Sequence, residues 1–320
     1  MCVNIVFYFI TDMIREERKK KCNFFVHSEV VIFMKKTKPT IGFIGQGWIG
    51  KNYADDFEER GYPVVRYAKE EPYNLNKNKI AKCPIVFIAV PTPTTPTGFD
   101  DSILRKVLPL VGKGKIAVIK STILPGTTTS LQKEFPDIII VHSPEFLEEA
   151  KAIEDTKFPK RTIVGIPKDT AKHRASAKKV LEVSPKAPYQ LVCSSEEAEF
   201  IKYGGNCFLY VKVVFANLFH DLAKKFPGAN YETIRDAMTA DPRIGNSHLD
   251  PVHKSGRGAG GHCFIKDFAA FIGLYEKIME DPKGLEALRA FEKKNNHLLL
   301  SSGKDLDLLG GVYGENLCID

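Results

Sequence analysis

Residues 40–67 read TIGFIGQGWIGKNYADDFEERGYPVVRY, and this stretch decides the fold. A short apolar strand runs into Gly45, Gly47 and Gly50, a helical pattern follows and closes at Gly61, and a second strand comes at 64–67. Glycines spaced G-x-G-x-x-G between a strand and a helix mark a dinucleotide-binding turn. The first permits the tight turn, the second lets a pyrophosphate approach the backbone, and the third lets helix pack on strand. The helix N-terminus then faces the negative charge. Glycines that serve packing alone are the competing explanation.

Outward from that turn, further strands are expected at 85–90, 116–119, 138–141, 163–166 and 190–193. They predict an α/β fold, a Rossmann-like doubly wound parallel sheet over residues 37–194. Residues 68–84 are short for a full crossover helix and another strand, so the first half of the sheet should be trimmed. In a parallel sheet the strand carboxyl ends share one rim, where ligands bind. That rim receives the stiff, hydroxyl-rich PTPTTPTG at 91–98, then Thr122, then Glu145 and Glu149. Glu145, beside a proline, also suits a helix cap. An acid that would hold the adenosine ribose is missing after the second strand, where Ala68 stands between Arg66 and Glu70. Arg66 beside that position leaves NADP open as well as NAD.

At Ser195 the character changes. Residues 195–225 form a long helical pattern opened by Ser and acids, as a helix N-terminus should be. Lys202 and Asn206 lie four apart on one face, with Gly204 and Gly205 between them. Two mid-helix glycines suggest that backbone or ligand approaches there. The helix is apolar on most sides, with Phe208, Leu209, Val213, Val214 and Phe215, and so should be buried. Helical patterns at 231–239 and from 267 to about 296 make residues 195–296 an all-α second domain. Residues 297–320 read as a tail without a cap, and residues 1–36 as an extension outside the fold.

The chemistry concentrates in GRGAGGHCFIKD, residues 256–267. A thiol is a nucleophile only as thiolate, and a nearby cation or helix N-terminus lowers its pKa, so Cys263 beside Lys266 reads as an activated sulfur. Asp267 would handle a proton, and the glycines would bring backbone close to whatever the sulfur attacks. A Gly-rich turn before a helix, holding a buried cysteine, explains the same residues.

Seven cysteines without C-x-x-C pairs argue against a secreted disulfide framework and a structural zinc site, and make a reducing cytoplasm the default. No metal site is expected. The net charge of +7 suits an anionic ligand, but the basic residues are scattered, which argues against nucleic acid. The apolar run at 3–10 is too short for a membrane span.

Seven motifs in order, GQGWIG, VPTPTTPTG, KSTILPGT, SPEFLEEAKAIED, AEFIKYGGN, DPRIGN and GAGGHCFIKD, resemble the UDP-glucose and GDP-mannose dehydrogenase family over about residues 40–276, nearest its members acting on UDP-glucose. The resemblance implies an NAD domain followed by a helical dimerisation domain, a homodimer, and oxidation of a sugar C6 alcohol to a carboxylate with two NAD. It implies that Cys263 captures an aldehyde and forms a thioester, that Lys202 and Asn206 stabilise an oxyanion, and that Asp267, Thr122 and Glu145 serve hydrolysis and proton transfer. Cofactor contacts would come from Gly45, Gly47, Trp48, Ile49, Gly50, Pro91, Thr92 and Thr122. Nucleotide-sugar contacts would come from Glu145, Phe146, Leu147, Glu149, Lys202, Asn206 and Gly260, and from Arg243 reaching a neighbouring subunit.

Family members continue into a third domain that this sequence does not show, so a separate chain supplying it is one expectation. Two other functions therefore stand beside the dehydrogenase: a catalytically silent dinucleotide-binding or dimerisation module, and a small 3-hydroxyacid-type dehydrogenase, for which Lys202 and Asn206 suffice without the cysteine.

Overall fold

A computed structural model describes residues 37–314; the extension expected over residues 1–36 and the end of the tail, 315–320, lie outside the described residues. Seven strands form the main sheet: β1 (Ile41–Ile44), β2 (Val64–Tyr67), β3 (Ile85–Ile88), β4 (Ile116–Ile119), β5 (Ile139–His142), β6 (Arg161–Ile166) and β7 (Tyr189–Ser194), in the order β2-β1-β3-β4-β5-β6-β7. β1, β3, β4 and β5 are short apolar runs buried along their whole length, as strands covered on both faces must be. Beyond β2, residues 68–84 supply only a 3₁₀ turn and the one-turn helix Lys77–Ile80, so the sheet is trimmed on that side as expected.

The sheet is not parallel throughout. β1 to β5 are parallel, whereas β6 runs antiparallel to β5, pairing His142 with Gly165, and β7 is parallel to β6. The expectation of a parallel sheet fails at this point because residues 143–160 do not cross the sheet. They leave β5 at the carboxyl rim and enter β6 from the same side.

Helices cover both faces. On one side α1 (Trp48–Glu59) contributes Phe57, whose ring meets Phe43 edge-on at 5.4 Å while Phe43 stacks on Phe87 at 5.3 Å. The opposite cluster joins Ile44, Val86, Ile88 and Ile119 to α2 (Ser102–Val107) and α3 (Thr127–Glu134). α4 (Ala152–Lys157) and α5 (Ala171–Val183) flank β6 in sequence.

The helical part begins with α6 (Ser195–Ala223). Its N-cap is Ser194, whose hydroxyl accepts the Glu197 N–H at 3.1 Å while the Glu197 carboxylate accepts the Ser194 N–H at 2.8 Å. Its start lies so close to β6 that a Cβ on Gly165 would meet the Ser195 Cα at 2.8 Å. There follow α7 (Tyr231–Thr239), α8 (Gly261–Ile278), α9 (Pro282–Ser302) and α10 (Leu306–Tyr313). Tyr210 of α6 stacks on Phe268 of α8 at 3.9 Å, the centre of a core that also holds Tyr203, Val214 and Ile272.

One sequence boundary is corrected. α8 begins at Gly261, so Cys263 stands in the first turn of a helix and not in a turn ahead of it. Residue 296 lies within α9, which is capped by Asp281 at its start and by Gly303 (φ 68°) at its end. Residues 295–305 then fold back on the glycine run. Asn295 accepts the Ala259 N–H at 2.7 Å and donates to its carbonyl at 3.0 Å, and Asp305 accepts the Gly261 N–H at 2.7 Å.

Three of the four glycines in this run are required by the docking, while a Cβ at Gly261 (φ 78°) would meet nothing within 4 Å. A Cβ at Gly256 would meet Ser302 and Lys304, one at Gly258 would crowd Asn295, and one at Gly260 would collide with Asp305. Asn295→Ala should therefore lower the unfolding free energy by about 1–3 kcal/mol, because it leaves two buried backbone groups unpaired. Urea denaturation checks this, and a detached tail would make the substitution silent.

Candidate active site

The dinucleotide turn has the geometry its glycines require. Gly45 adopts φ 91°, and a Cβ there would collide with the Ala89 carbonyl; a Cβ at Gly50 would collide with the Gly45 carbonyl. At Gly47 a Cβ would meet nothing within 4 Å, so this position is open on the ligand side. Gly47 is also the N-cap of α1, with no side chain capping the helix, which leaves first-turn N–H groups for an anion. Trp48, 45% exposed, and half-buried Ile49 flank the turn. A dinucleotide pyrophosphate fits this arrangement.

Arg66, by contrast, is already engaged. Its guanidinium contacts Glu58 and Asp55, each at 2.7 Å, and its side chain is 13% exposed. Two carboxylates already hold the cation that a 2′-phosphate would need. Glu70 is exposed beyond Ala68.

The rim loops are stapled to one another. Thr92 donates to the Thr122 carbonyl at 2.7 Å, and Ser121 donates to the Val90 carbonyl at 2.7 Å, so the loops after β3 and β4 move together. Pro91 is exposed at the edge of this staple. Thr94 donates to the Lys266 carbonyl at 2.9 Å, tying the proline-rich loop to the cysteine helix.

One face of α6 meets the rim. Residues 199, 202 and 206 lie at i, i+3 and i+7 and point the same way. Glu199 is fully buried and accepts hydrogen bonds from the Gly126 N–H at 2.6 Å, the Thr128 N–H at 2.8 Å and the Thr128 hydroxyl at 2.6 Å. Burial raises its pKa to about 7, against the lowering effect of those donors. Glu199 was not among the expected site residues; its one signal was an acid one turn before Lys202 on the face that also carries Asn206.

Lys202 donates to Glu145 Oε1 at 3.0 Å, and both side chains are 5% exposed. Burial alone would lower the Lys202 pKa, but Glu145 and, further off, Cys263 and Asp267 raise it above the ordinary value, so it stays a cation. The second oxygen of Glu145 accepts the Leu147 N–H at 2.7 Å, which fixes the carboxylate and fits no helix cap. Asn206 donates to Asp267 Oδ2 at 2.6 Å, and Lys266 donates to Asp267 Oδ1. Asp267 is buried, one helical turn beyond Cys263.

The expected activation of the thiol by Lys266 is not what the structure shows. Cys263 reaches solvent, yet its pKa is raised: burial of its inner side and the Asp267 carboxylate outweigh the cations Lys202 and Lys266. Lys266 is held on Asp267, so its charge is largely answered before it acts on the sulfur.

The structure brings Thr122, Glu145, Lys202, Asn206, Asp267 and Cys263 to one rim; Glu149 stands at its edge, within electrostatic reach of His262 beside Cys263, and Arg243, expected to serve a neighbouring subunit, lies away from it. Glu149 is exposed and pairs with Lys254 at 2.6 Å, which lowers its pKa. Arg243 pairs with Asp241 at 2.6 Å with its side chain 88% exposed. Phe146 is half-buried, its ring facing the Lys202 ammonium at 5.7 Å, and Leu147 is half-buried beside it. Within the described residues nothing approaches a Cβ placed at Gly204, and only Arg161 comes near Gly205, at 3.8 Å.

Together these features define a dinucleotide-binding protein whose second, helical domain presents a thiol to the cofactor rim. Two domain models of one family match: the NAD binding domain of the UDP-glucose/GDP-mannose dehydrogenase family over residues 73–182, and its central domain over 196–296. The chain belongs to the UDP-glucose/GDP-mannose dehydrogenase family. It is 30% identical over 259 residues to a UDP-glucose 6-dehydrogenase of Rickettsia conorii, covering 77% of this chain and 57% of that protein. It is also 31% identical over 256 residues to one of Bacillus subtilis, covering 75% and 55%. The chain thus spans little more than half the length of these curated relatives.

Among solved structures, a UDP-glucose dehydrogenase from Pyrobaculum islandicum superposes with a TM-score of 0.71 at 26% identity, covering 82% of this chain and 69% of that one. A Mycobacterium tuberculosis 3-hydroxyisobutyrate dehydrogenase shares the fold at a TM-score of 0.64 and 16% identity, covering 88% of this chain and the whole of that one.

Iodoacetamide followed by peptide mapping should label Cys263 ahead of Cys83, Cys193 and Cys207, whose thiols are less exposed and, through burial, harder to ionise. Its rate should climb with pH above neutrality, because the thiol pKa is raised. Lys202→Met should slow it further, and a rate that is flat from neutral pH upward would contradict the balance of charges described.

Proposed function

We propose that this chain carries out the NAD-dependent oxidation of the C6 alcohol of a nucleotide sugar, UDP-glucose first among them, to the carboxylate. The observation that supports this most is that one helix face sets Lys202 and Asn206 against Glu145 and Asp267 beside Cys263. Bound NAD supplies the acceptor for the hydride in each of two oxidations. Gly47 and the start of α1 bind its pyrophosphate, and Thr92 and Thr122 line the rim beyond.

In the first step the C6 hydroxyl gives its proton to the Glu145 side, and Lys202 and Asn206 hold the oxygen that gains negative charge. The Cys263 thiol loses its proton to Asp267, one turn along α8, and the sulfur adds to the aldehyde carbon to form a thiohemiacetal. The second oxidation leaves a thioester. Water then attacks the acyl carbon, the C–S bond breaks, and Cys263 is restored as the carboxylate leaves; Thr122 and Asp267 hold that water. Asn206 and Lys266 hold the Asp267 carboxylate in place one turn along from the sulfur.

The same reading includes a homodimer. α6 buries Val213 and Val214, as expected, but leaves Phe200, Phe208, Phe215, Leu218 and Leu222 exposed along one stripe that passes through Gly204. That stripe follows the 3–4 spacing of a helix–helix seam, and a second copy of α6 would cover it. Arg243 from the partner copy would then reach the neighbouring site.

Product analysis tests the chemistry. The expected result is two NADH and one UDP-glucuronate per UDP-glucose, with Cys263→Ala giving no acid and Cys263→Ser stopping after the first hydride. One NADH from a small hydroxyacid would replace this reading with the 3-hydroxyacid type, and no turnover of any substrate would leave a silent binding module. Sedimentation at micromolar concentration should show a dimer that Phe208→Glu with Phe215→Glu dissociates; a wild-type monomer would end that part of the reading.

A further inference from the structure

Behind the loop that carries Glu145 lies a cavity of about 380 Å³, within the range of small-molecule sites. Tyr53, Phe146, Leu147 and Pro159 give it apolar walls, and Lys120 and Arg161 bring it charge. Gly45 to Gly50, Lys202, Asn206, Cys263 and Asp267 are not among its lining residues, so it is a space beside the candidate active site, joined to it at the wall of Phe146 and Leu147 and through Lys120, on which the charges of Glu145 and Lys202 act.

Its charges do not balance locally. Of its acids, Asp155 accepts the Glu148 N–H at 2.8 Å, and the Glu148 carboxylate faces Lys151 at 3.9 Å and the third cation of the cavity, Lys160, at 3.8 Å. Lys120 and Arg161 form no ion pair among the described residues. The Lys120 ammonium lies 4.3 Å from the Tyr53 ring centre and donates to the Pro144 carbonyl at 3.4 Å, with the residue 5% exposed. Three donors on a buried ammonium are thus met by one long hydrogen bond and a ring face. The Arg161 guanidinium lies over the Phe146 ring at 3.9 Å. Burial pulls the Lys120 pKa down to about 7, further than the nearby Glu145 carboxylate raises it, and burial also lowers the pKa of Arg161, which stays exposed at the mouth of the cavity.

We propose that this cavity is a binding site for a small organic oxyanion, a carboxylate or phosphate head joining Lys120 and Arg161 with an apolar body against Phe146 and Leu147. The anion would give the buried Lys120 ammonium the direct partner it lacks among the described residues and a second charge-assisted contact at Arg161, with the apolar body on the remaining wall. The site reaches the candidate active site at the shared wall, where Leu147 donates the N–H that fixes Glu145 and the Phe146 ring faces the Lys202 ammonium. An occupant that moves Phe146 and Leu147 would move the carboxylate paired with Lys202. The binding site itself does not depend on the proposed reaction, and its test requires no turnover.

Calorimetric titration of the full chain with inorganic phosphate, acetate and benzoate, each with and without saturating NAD, reads the site directly. The expected result is saturable binding that persists with NAD present, benzoate binding more tightly than acetate, and at least a tenfold loss in both Lys120→Met and Arg161→Met. Methionine in place of a buried, unpaired ammonium should not impair folding. Phosphate tighter than benzoate would assign the head as phosphate, and the reverse as carboxylate. Reductive methylation with ¹³C labels adds a wild-type readout: one lysine resonance titrating near neutrality should shift to higher pH when the anion is bound. No saturable binding, binding abolished by NAD, affinity unchanged in the variants, or a Lys120 resonance indifferent to the anion would each overturn the proposal.

Discussion

The arrangement depends on one buried ion pair, Lys202 with Glu145, and on the helix that sets its position. Each partner is 5% exposed, and the desolvation of both charges is offset only because the pair is direct and Glu145 has a second donor in the Leu147 N–H. Glu199, one turn earlier, grips the loop after β4, and Asn206, one turn later, grips the aspartate of the cysteine helix. The three grips are seven residue steps from end to end, about 10 Å of helix at about 1.5 Å per residue. A rigid rod therefore fixes the spacing between loops that come from different strands.

That rod explains why so much was legible and why part was not. The glycine turn could be read because its three positions have separate steric demands, and each is met: a left-handed Gly45, an open Gly47 and a Gly50 pressed on the Gly45 carbonyl. Lys202 and Asn206 could be read because helical spacing alone puts them on one face. The run at 256–261 could not be read the same way, since a glycine made necessary by a ligand and one made necessary by a docking helix look identical in sequence. Only the fold-back of Asn295, Ser302 and Asp305 tells them apart. The reversal of β6 was invisible for a related reason: strand patterns report burial, and burial is the same in either direction.

The cysteine shows how adjacency in sequence misleads electrostatics. Lys266 is three residues from Cys263, but its ammonium lies on Asp267, which also faces the sulfur, so cation and anion arrive together. Lys202, far away in sequence, is the first of the cations that favour the thiolate, and it is itself held by Glu145. The thiol is therefore controlled by a chain of carboxylates and ammoniums running from β5 to α8, and a change in any of them alters its acidity.

The reversal at β5 and β6 has a further effect. Because residues 143–160 begin and end on the same side of the sheet, their length is not tied to the distance across it, as the length of a crossover is. This segment can gain or lose residues, or exchange them, without changing strand order or register. It holds Glu145, Phe146 and Leu147 at one end and Arg161 just past the other. In a lineage of such proteins, substrate choice can diverge here while the sheet and the long helix stay as they are.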